Sequence, residues 1–325
     1  MAYEKEVEVG VEAVLSAAKL CQSVRANIPD SIEKEDRSPV TIADFGSQAV
    51  ICRALAQAFP NDPVVGEEDA TALRSSEMSE QLTQVTEYVK QEIPSVSTDD
   101  VTQWIDHGNG EASDRFWTLD PIDGTKGFLR GDQYAIALAL LEEGKVKVGI
   151  LACPALSLDL APPLDEQGLL FVAVRGEGTR VRPLSQDDYN TIRVTAPDDD
   201  EHLRFVESVE AAHGDQSLQN AIAKKAGIKS DSLRMDSQAK YGAVASGAAA
   251  LYLRLPSPKK PDYRENIWDH AAGVIVVEEA GGRTSDMYGK PLDFSVGAKL
   301  FQNRGVVVSN GSLHEPVLAA LNENS

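Results

Sequence analysis

The chain is poor in cysteine, with only Cys21, Cys52 and Cys153 in 325 residues. Their odd number and scattered spacing exclude a disulfide-stapled fold and a thiolate metal site, and leave buried thiols in a reducing compartment as the expectation. Basic residues are also scarce. Lys and Arg total 31 against 51 Asp and Glu, a formal net charge of −20, which argues against a nucleic-acid polymer and an anionic membrane as partners. Long apolar runs are missing: Tyr134 to Leu141 is the longest and is far too short to cross a bilayer. No secretory leader is expected either, because Glu4, Lys5, Glu6, Glu8 and Glu12 break up the apolar core that a leader needs. Internal repeats and low-complexity tracts are absent. A cytoplasmic protein is the simplest expectation. With 42% apolar residues the chain can bury a large core, expected as two closely packed lobes.

Chemistry is concentrated in Asp120-Pro121-Ile122-Asp123-Gly124-Thr125. Phe116-Trp117-Thr118-Leu119 reads as a buried strand, which puts Asp120 at its carboxyl end, and Pro121 is expected to stop the ladder by removing a backbone donor. In the following turn Asp120 and Asp123 can aim at one point with the Ile122 carbonyl beside them, an all-oxygen set of the kind Mg2+ takes. Gly124 and Thr125 then open a short helix whose unpaired N–H groups can cradle a phosphate. The same residues also fit an ordinary Asp-rich turn with a capping Thr.

Other acidic segments lie far apart in the chain. Val64-Val65-Gly66-Glu67-Glu68-Asp69 is a short strand ending in a glycine and three acids. Ser38 to Asp44 puts Asp44 at the start of a helix running toward Phe59-Pro60, and Trp268-Asp269-His270 starts another, which runs to Glu279 and stops at Gly281-Gly282. Taken singly, Asp44 and Asp269 fit helix N-caps, and Glu67 and Glu68 a solvated strand end. Their conjunction points to one site assembled by the fold.

Val7, Val11, Val14, Leu15 and Ala18 recur at helical spacing and give a first amphipathic helix. The polar segment Ala70 to Asp114, helical around Ser79 to Glu92 and Asp99 to Ile105, is expected to add little core and to sit at the mouth of the site. Tyr134 to Leu141 and Val146 to Leu151 flank Glu142-Glu143-Gly144-Lys145 as a hairpin, and Leu169 to Val174 adds a strand. Pro183 to Asp188 reads as a linker, after which Ile192 to Thr195 begins a run of alternating strands and helices.

Gly66-Glu67-Glu68, the 120–125 hexapeptide and Trp268-Asp269-His270-Ala271-Ala272-Gly273 resemble, in order and rough spacing, the three signatures of the lithium-sensitive, Mg2+-dependent phosphatases typified by inositol monophosphatase. Within that superfamily, Thr125 to Gly131, Leu233 to Tyr241 and Tyr252 to Pro256 look like the 3'(2'),5'-bisphosphate nucleotidases of fungi and plants. The resemblance runs from Ser38 to about Ser309. It implies an α/β/α/β/α layered sandwich of the inositol monophosphatase and fructose-1,6-bisphosphatase type, with an α+β lobe (residues 1–185) carrying most metal ligands and an α/β lobe (residues 186–325) carrying the nucleotide pocket and Asp269.

The implied reaction is hydrolysis of the 3'(2')-phosphate of a small adenosine bisphosphate, as in sulfate assimilation, with two or more Mg2+; the oligomeric state is left open, with a monomer favoured. Asp120, Glu67 and the Ile122 carbonyl suit one ion; Asp120, Asp123 and Asp269 suit a second, with Asp120 bridging. The resemblance further implies that Asp44 accepts a hydrogen bond from Thr125, whose hydroxyl orients and deprotonates the attacking water. Glu68 is expected either to support a metal-bound water or to be merely solvated. Asp120, Asp123, Gly124, Thr125 and Asp269 would meet the scissile phosphate. Ser237, Lys240 and Arg254 match positions that hold the 5'-phosphate, and His213 one beside the nucleoside, although a structural histidine is equally open there. Surface charge is the ordinary reading of Lys240 and Arg254; Lys259-Lys260 could help to draw the anion in, although such a pair is more often only solvated. Against it, Arg254 interrupts the apolar strand Leu251 to Leu255, where an unpaired charge is expensive. Two other readings stay open: an inositol phosphate phosphatase, and a catalytically inactive nucleotide sensor. A haloacid-dehalogenase-like enzyme is disfavoured, because it wants one residue between its aspartates and here two intervene.

Overall fold

A computed structural model describes residues 2–28, 38–158, 168–199, 201–209, 216–257, 259–260 and 262–323. The chain opens with two long helices, α1 (Glu4–Ala26) and α2 (Ser38–Ala58). The apolar stripe of α1 buries Val14, Ala17, Ala18, Cys21 and Val24. Helix α2 starts at Ser38-Pro39, where proline costs nothing because first-turn N–H groups have no helical partner. Asp44 therefore lies in the second turn of α2 and not at its start, as the sequence was read.

Seven strands follow in sheet order: β1 (Val64–Gly66), β2 (Arg115–Asp123), β3 (Ala135–Glu142), β4 (Lys145–Cys153), β5 (Leu169–Val174), β6 (Gly178–Pro183) and β7 (Asn190–Ile192). β1 runs parallel to β2 and every other pairing is antiparallel. The β3–β4 hairpin closes through Glu143 and Gly144 at φ 51° and 71°, two consecutive left-handed residues that suit strand twist. Alternation along β3 divides its faces. Ile136, Leu138 and Leu140 join the core under α1 and α2, whereas Ala135, Ala137, Ala139 and Leu141 join the core on the other side. Small residues on that second face let helix α8 (Ala271–Glu279) lie close: a Cβ on Gly149 would come within 2.9 Å of the Ala272 carbonyl oxygen.

Helix α8 and its neighbour α7 (Ala239–Ala245) form the middle layer. Beneath them is a second sheet, ordered β11 (Arg283–Ser285), β12 (Val306–Ser309), β10 (Leu251–Arg254), β8 (Phe205–Glu207) and β9 (Leu233–Arg234). Helices α6 (Gln216–Lys225) and α9 (His314–Asn322) cover its outer face, where Phe205, Leu251, Leu253 and Val307 meet Ile222, Val317 and Leu321. The architecture is an α/β/α/β/α layered sandwich.

Two expectations shift. The stretch read as a linker, 183–188, is the connection between β6 and β7, and β7 pairs back onto β6. The change of sheet therefore comes after Ile192. The segment 70–114 also contributes more core than expected: α3 (Ser79–Glu92), α4 (Thr98–Asp106) and the turn before them bury Leu73, Val85, Val89, Val101 and Ile105 beside α2. Its few apolar residues fall on one stripe per helix, so a polar composition conceals a packed face. All three thiols are buried and unbridged, as expected. Among the described residues no helix is long and apolar enough to cross a membrane.

Candidate active site

β2 does not end at Pro121. Its ladder pairs Asp120 with Ala137 and next Asp123 with Ala135, leaving Pro121 and Ile122 without partners on β3. A bulge, tolerant of a residue without an N–H, replaces the expected strand end. It also has a chemical consequence. Residues three apart in a regular strand point to opposite faces, but Ala135 and Ala137 are two apart on one face, so the inserted residue brings Asp120 and Asp123 to the same side. Ser47 of α2 pins the bulge by donating to the Pro121 carbonyl oxygen at 3.1 Å. Asp44, one turn earlier on α2, is among the carboxylates that act on Asp120.

Gln48, fully buried on α2, sets the second segment. Its Nε2 donates to the Ile105 carbonyl oxygen at 2.9 Å and also to that of Glu68, while its Oε1 accepts the Glu68 N–H at 3.1 Å. A Cβ on Gly66 would lie 2.7 Å from that Oε1, which explains the glycine of Gly66-Glu67-Glu68. The Glu67 N–H is held by the Leu119 carbonyl oxygen at 3.2 Å, next to Asp120.

From the other lobe, Asp269 precedes α8, and Asn266 Nδ2 donates to its Oδ2 at 3.3 Å. Gln238 joins this segment to the bulge: its N–H donates to Asp123 Oδ2 at 2.6 Å and its side-chain amide bonds to Trp268 and Gly273. The Tyr241 hydroxyl meets His270 Nδ1 at 2.6 Å.

These carboxylates crowd one another. Burial, followed by Glu67, Asp123, Asp269 and Asp44, pushes Asp120 well above the carboxylate range. Asp44 is raised by burial, Glu68 and Glu67. Glu67 stays open to solvent on one side, yet loss of hydration around its carboxyl and the charge of Glu68 raise it, against a hydrogen bond with Asp120. Asp269 is pushed up to about 7 by burial and then by Asp123. Burial raises Asp123 too, and Lys240 and the Gln238 N–H hold it back. Asp44 Oδ1 and Asp120 Oδ1 are buried without a hydrogen-bond partner. Orphaned, mutually repelling oxygens on several segments are the donor set that a hard divalent cation satisfies, so the residues present fit the metal that the sequence implies. Glu265, Asp269 and His270 also bring ligand atoms within 4.8 Å of one another. There, however, Glu265 is engaged by Arg254 and His270 Nδ1 by Tyr241.

A cleft beside the cluster is lined by Asp123, Gly124, Thr125, Ser237, Lys240, Arg254 and Asp269 among others; Asp120, also expected at the substrate, is not among its lining residues. Gly124 (φ 90°) is the N-cap of the short helix α5 (Thr125–Arg130), and Ser237 (φ 66°) lies against it, 2.9 Å from where a Cβ on Gly124 would be. Held left-handed backbone in a non-glycine residue is a feature of binding sites.

Arg254 is paired within the protein: its Nε donates to both Glu265 oxygens at 3.2 Å. Lys240 is 4% exposed, lies 5.2 Å over the Tyr252 ring and is lowered to about 8 by burial, which goes against the surface-charge alternative. One expectation needs correction. The Asp44–Thr125 hydrogen bond is not made; Asp44 Oδ1 has no partner and the Thr125 side chain is exposed. Lys259 and Lys260 are exposed and do not line the cleft. His213 lies outside the described residues. Reading the sequence missed Ser47, Gln48 and Glu265 as supporting residues. The adjacent polar pair Ser47-Gln48, between the apolar stretches of α2, is the one signal that could have found the first two.

Comparison with known proteins agrees. The sequence profile of the inositol monophosphatase family matches residues 3–325. The 3'(2'),5'-bisphosphate nucleotidase of Emericella nidulans is 41% identical over 99% of this chain and 98% of its own length. The 3'(2'),5'-bisphosphate nucleotidase 1 of Arabidopsis thaliana is 44% identical over 100% and 97%. Among solved structures, an inositol monophosphatase from Anabaena superposes with a TM-score of 0.64 at 19% identity, covering 99% of this chain and 97% of its own. One from Zymomonas mobilis gives 0.63 at 22%, covering 99% of each; both likenesses speak for the fold. With the bulged Asp120–Asp123 pair, the Gly66-Glu67-Glu68 turn and Asp269 converging as they do, the chain belongs to the inositol monophosphatase family.

Proposed function

We propose that the protein is a Mg2+-dependent 3'(2'),5'-bisphosphate nucleotidase that hydrolyses 3'(2')-phosphoadenosine 5'-phosphate to AMP and phosphate, and 3'-phosphoadenosine 5'-phosphosulfate to adenosine 5'-phosphosulfate. The observation that carries this reading is the mixed charge of one cleft: Asp123 and Asp269, crowded by their acidic neighbours, share its lining with the cations Lys240 and Arg254. The names of the relatives at 41–44% identity point the same way.

Glu67, Asp120 and the Ile122 carbonyl would hold one ion, and Asp120, Asp123 and Asp269 a second. Bound there, such ions would supply positive charge to the phosphoryl oxygens and make a water acidic enough to attack. Asp44 and Thr125 orient that water and take its proton, with Asp44 drawing Thr125 in once substrate excludes solvent from its exposed hydroxyl. Gly124 borders the scissile phosphate. Ser237, Lys240 and Arg254 hold the 5'-phosphate. Arg254 is committed to Glu265 only through Nε, and among the described residues its two terminal nitrogens make no hydrogen bond. A small nucleotide of sulfate assimilation as substrate, a monomeric state and a cytoplasmic setting accompany this reading.

The partial neutralisation of Arg254 by Glu265 favours one second reading, an inositol phosphate phosphatase, since a singly phosphorylated ligand asks for less positive charge. Phosphate release by purified protein with Mg2+ decides between them on 3'-phosphoadenosine 5'-phosphate, its sulfated relative, 5'-AMP and inositol phosphates. The proposal requires turnover of the first two far above the others. Preference for inositol phosphates would replace it with the second reading, and no release from any of them would leave a nucleotide sensor.

A further inference from the structure

Gln238, 1% exposed, bonds to two separate segments of the site at once. Its main-chain N–H donates to Asp123 Oδ2 at 2.6 Å. Its side chain turns the other way: Nε2 donates to the Trp268 carbonyl oxygen at 2.9 Å, and Oε1 accepts the Gly273 N–H at 3.1 Å. Gly273 is the third residue of α8, so its N–H has no partner within the helix, and the N-cap His270 supplies no side-chain cap. Gln238 therefore caps α8 from outside the helix and brackets Asp269 between its two contacts.

There is little slack in this arrangement. A Cβ on Gly273 would come within 2.3 Å of the Tyr241 ring, and the Tyr241 hydroxyl holds His270 from the same short helix, α7. Asp123 comes from the bulge of the first sheet and Asp269 from the segment before α8, two like charges with no covalent reason to stay together. We infer that Gln238 is the positioning residue that fixes Asp269 relative to Asp123, and thereby shapes the second of the two ion sites. The inference rests on the two-ion reading above. Gln238 makes no hydrogen bond to Glu67, Asp120 or Ile122 among the described residues, so the first ion site is left alone.

Gln238→Met keeps the side-chain length, removes both side-chain bonds and leaves the N–H to Asp123 in place. The test is a Mn2+ titration of the chelator-treated full chain by calorimetry, with thermal unfolding as a check on folding. Wild type is expected to bind two ions. In Gln238→Met the first event stays within about twofold and the second weakens about tenfold or more, the effect of losing one to two hydrogen bonds. If that variant does not fold, Gln238→Glu carries the same test, since it keeps the acceptor for Gly273 and sets an oxygen against the Trp268 carbonyl. Two unchanged events in a folded variant, or equal weakening of both, overturn the inference and leave the two-ion reading standing. A single event in wild type overturns both.

Discussion

Arg254 and Glu265 face each other in the wall of the cleft, with Arg254 Nε donating to both carboxylate oxygens at 3.2 Å. Burial pushes Glu265 up, and His270 and Arg254 together bring it back down to about 2. Arg254→Ala should then do two things. It leaves Glu265 buried and unpaired, a cost of about 2–3 kcal/mol, below the ~3–5 of a fully buried pair because Arg254 keeps some solvent contact. It also removes a charged hydrogen bond to the 5'-phosphate, which lowers kcat/KM on 3'-phosphoadenosine 5'-phosphate by roughly one to two orders of magnitude. Lys240→Ala should show the second effect. Activity on 3'-AMP, which offers no 5'-phosphate, should barely change in either variant; equal losses on both substrates refute the 5'-phosphate assignment.

The acid cluster predicts how the metal-free protein responds to pH. Glu67 and Asp269 are each raised to about 7, so the folded state binds protons more tightly than the unfolded chain. Their contribution to stability is complete below the unfolded carboxyl pKa, about 4, and is lost as pH rises through about 7. In EDTA, Tm should fall between pH 5 and pH 8, and Mg2+ should raise it far more at pH 8 than at pH 5. A flat profile, or an equal Mg2+ effect at both values, contradicts this account.

Asp120 should show opposite effects on stability and activity. Asp120→Asn removes the charge most crowded by its neighbours, so without metal at pH 8 the variant should melt a few degrees above wild type. At the same time it should lose turnover by about a thousandfold or more and lose the Mg2+-induced rise in Tm. Asp44→Asn should keep that rise and lower kcat by about a hundredfold, because only the proton path is touched. An Asp120→Asn enzyme that still turns over normally rules out the bridging role.

Lithium provides an independent check. An oxygen cage for a small divalent ion admits Li+ with half the charge, which occupies a position without stabilising the phosphoryl group. Activity at limiting Mg2+ should decline along a Li+ titration, and an unchanged rate counts against the metal assignment.

His314 should set acid stability away from the site. Ser285 Oγ and Ser309 Oγ each lie 2.9 Å from one of its ring nitrogens. Burial, then the Arg283 charge, lowers it to about 4. The unfolded chain therefore takes up the proton first as pH falls, and stability that is complete above about 6.5 is lost toward pH 4. Urea unfolding at pH 7 and pH 4.5 should show a smaller drop for His314→Gln than for wild type. Identical drops would show that His314 does not titrate in this way.

The sequence by itself determined the elements and the chemistry. Apolar stripes fixed α1, and two turn residues fixed the β3–β4 hairpin. The residue types at 44, 67, 120, 123, 125 and 269 limited the site to oxygen ligands and a hydroxyl. These are local properties, set by periodicity, backbone freedom and side-chain charge. Only the tertiary structure decided that β2 continues through Pro121 as a bulge, since that depends on β3 offering Ala137 and Ala135 two residues apart. The same holds for Arg254 meeting Glu265, for Gln48 clamping the Glu68 backbone and for Gln238 spanning Asp123 and α8. Each of these joins segments whose partner is chosen by packing rather than by neighbouring sequence. A buried charge or amide announces that it needs a partner, but the identity of that partner is settled only when the layers close.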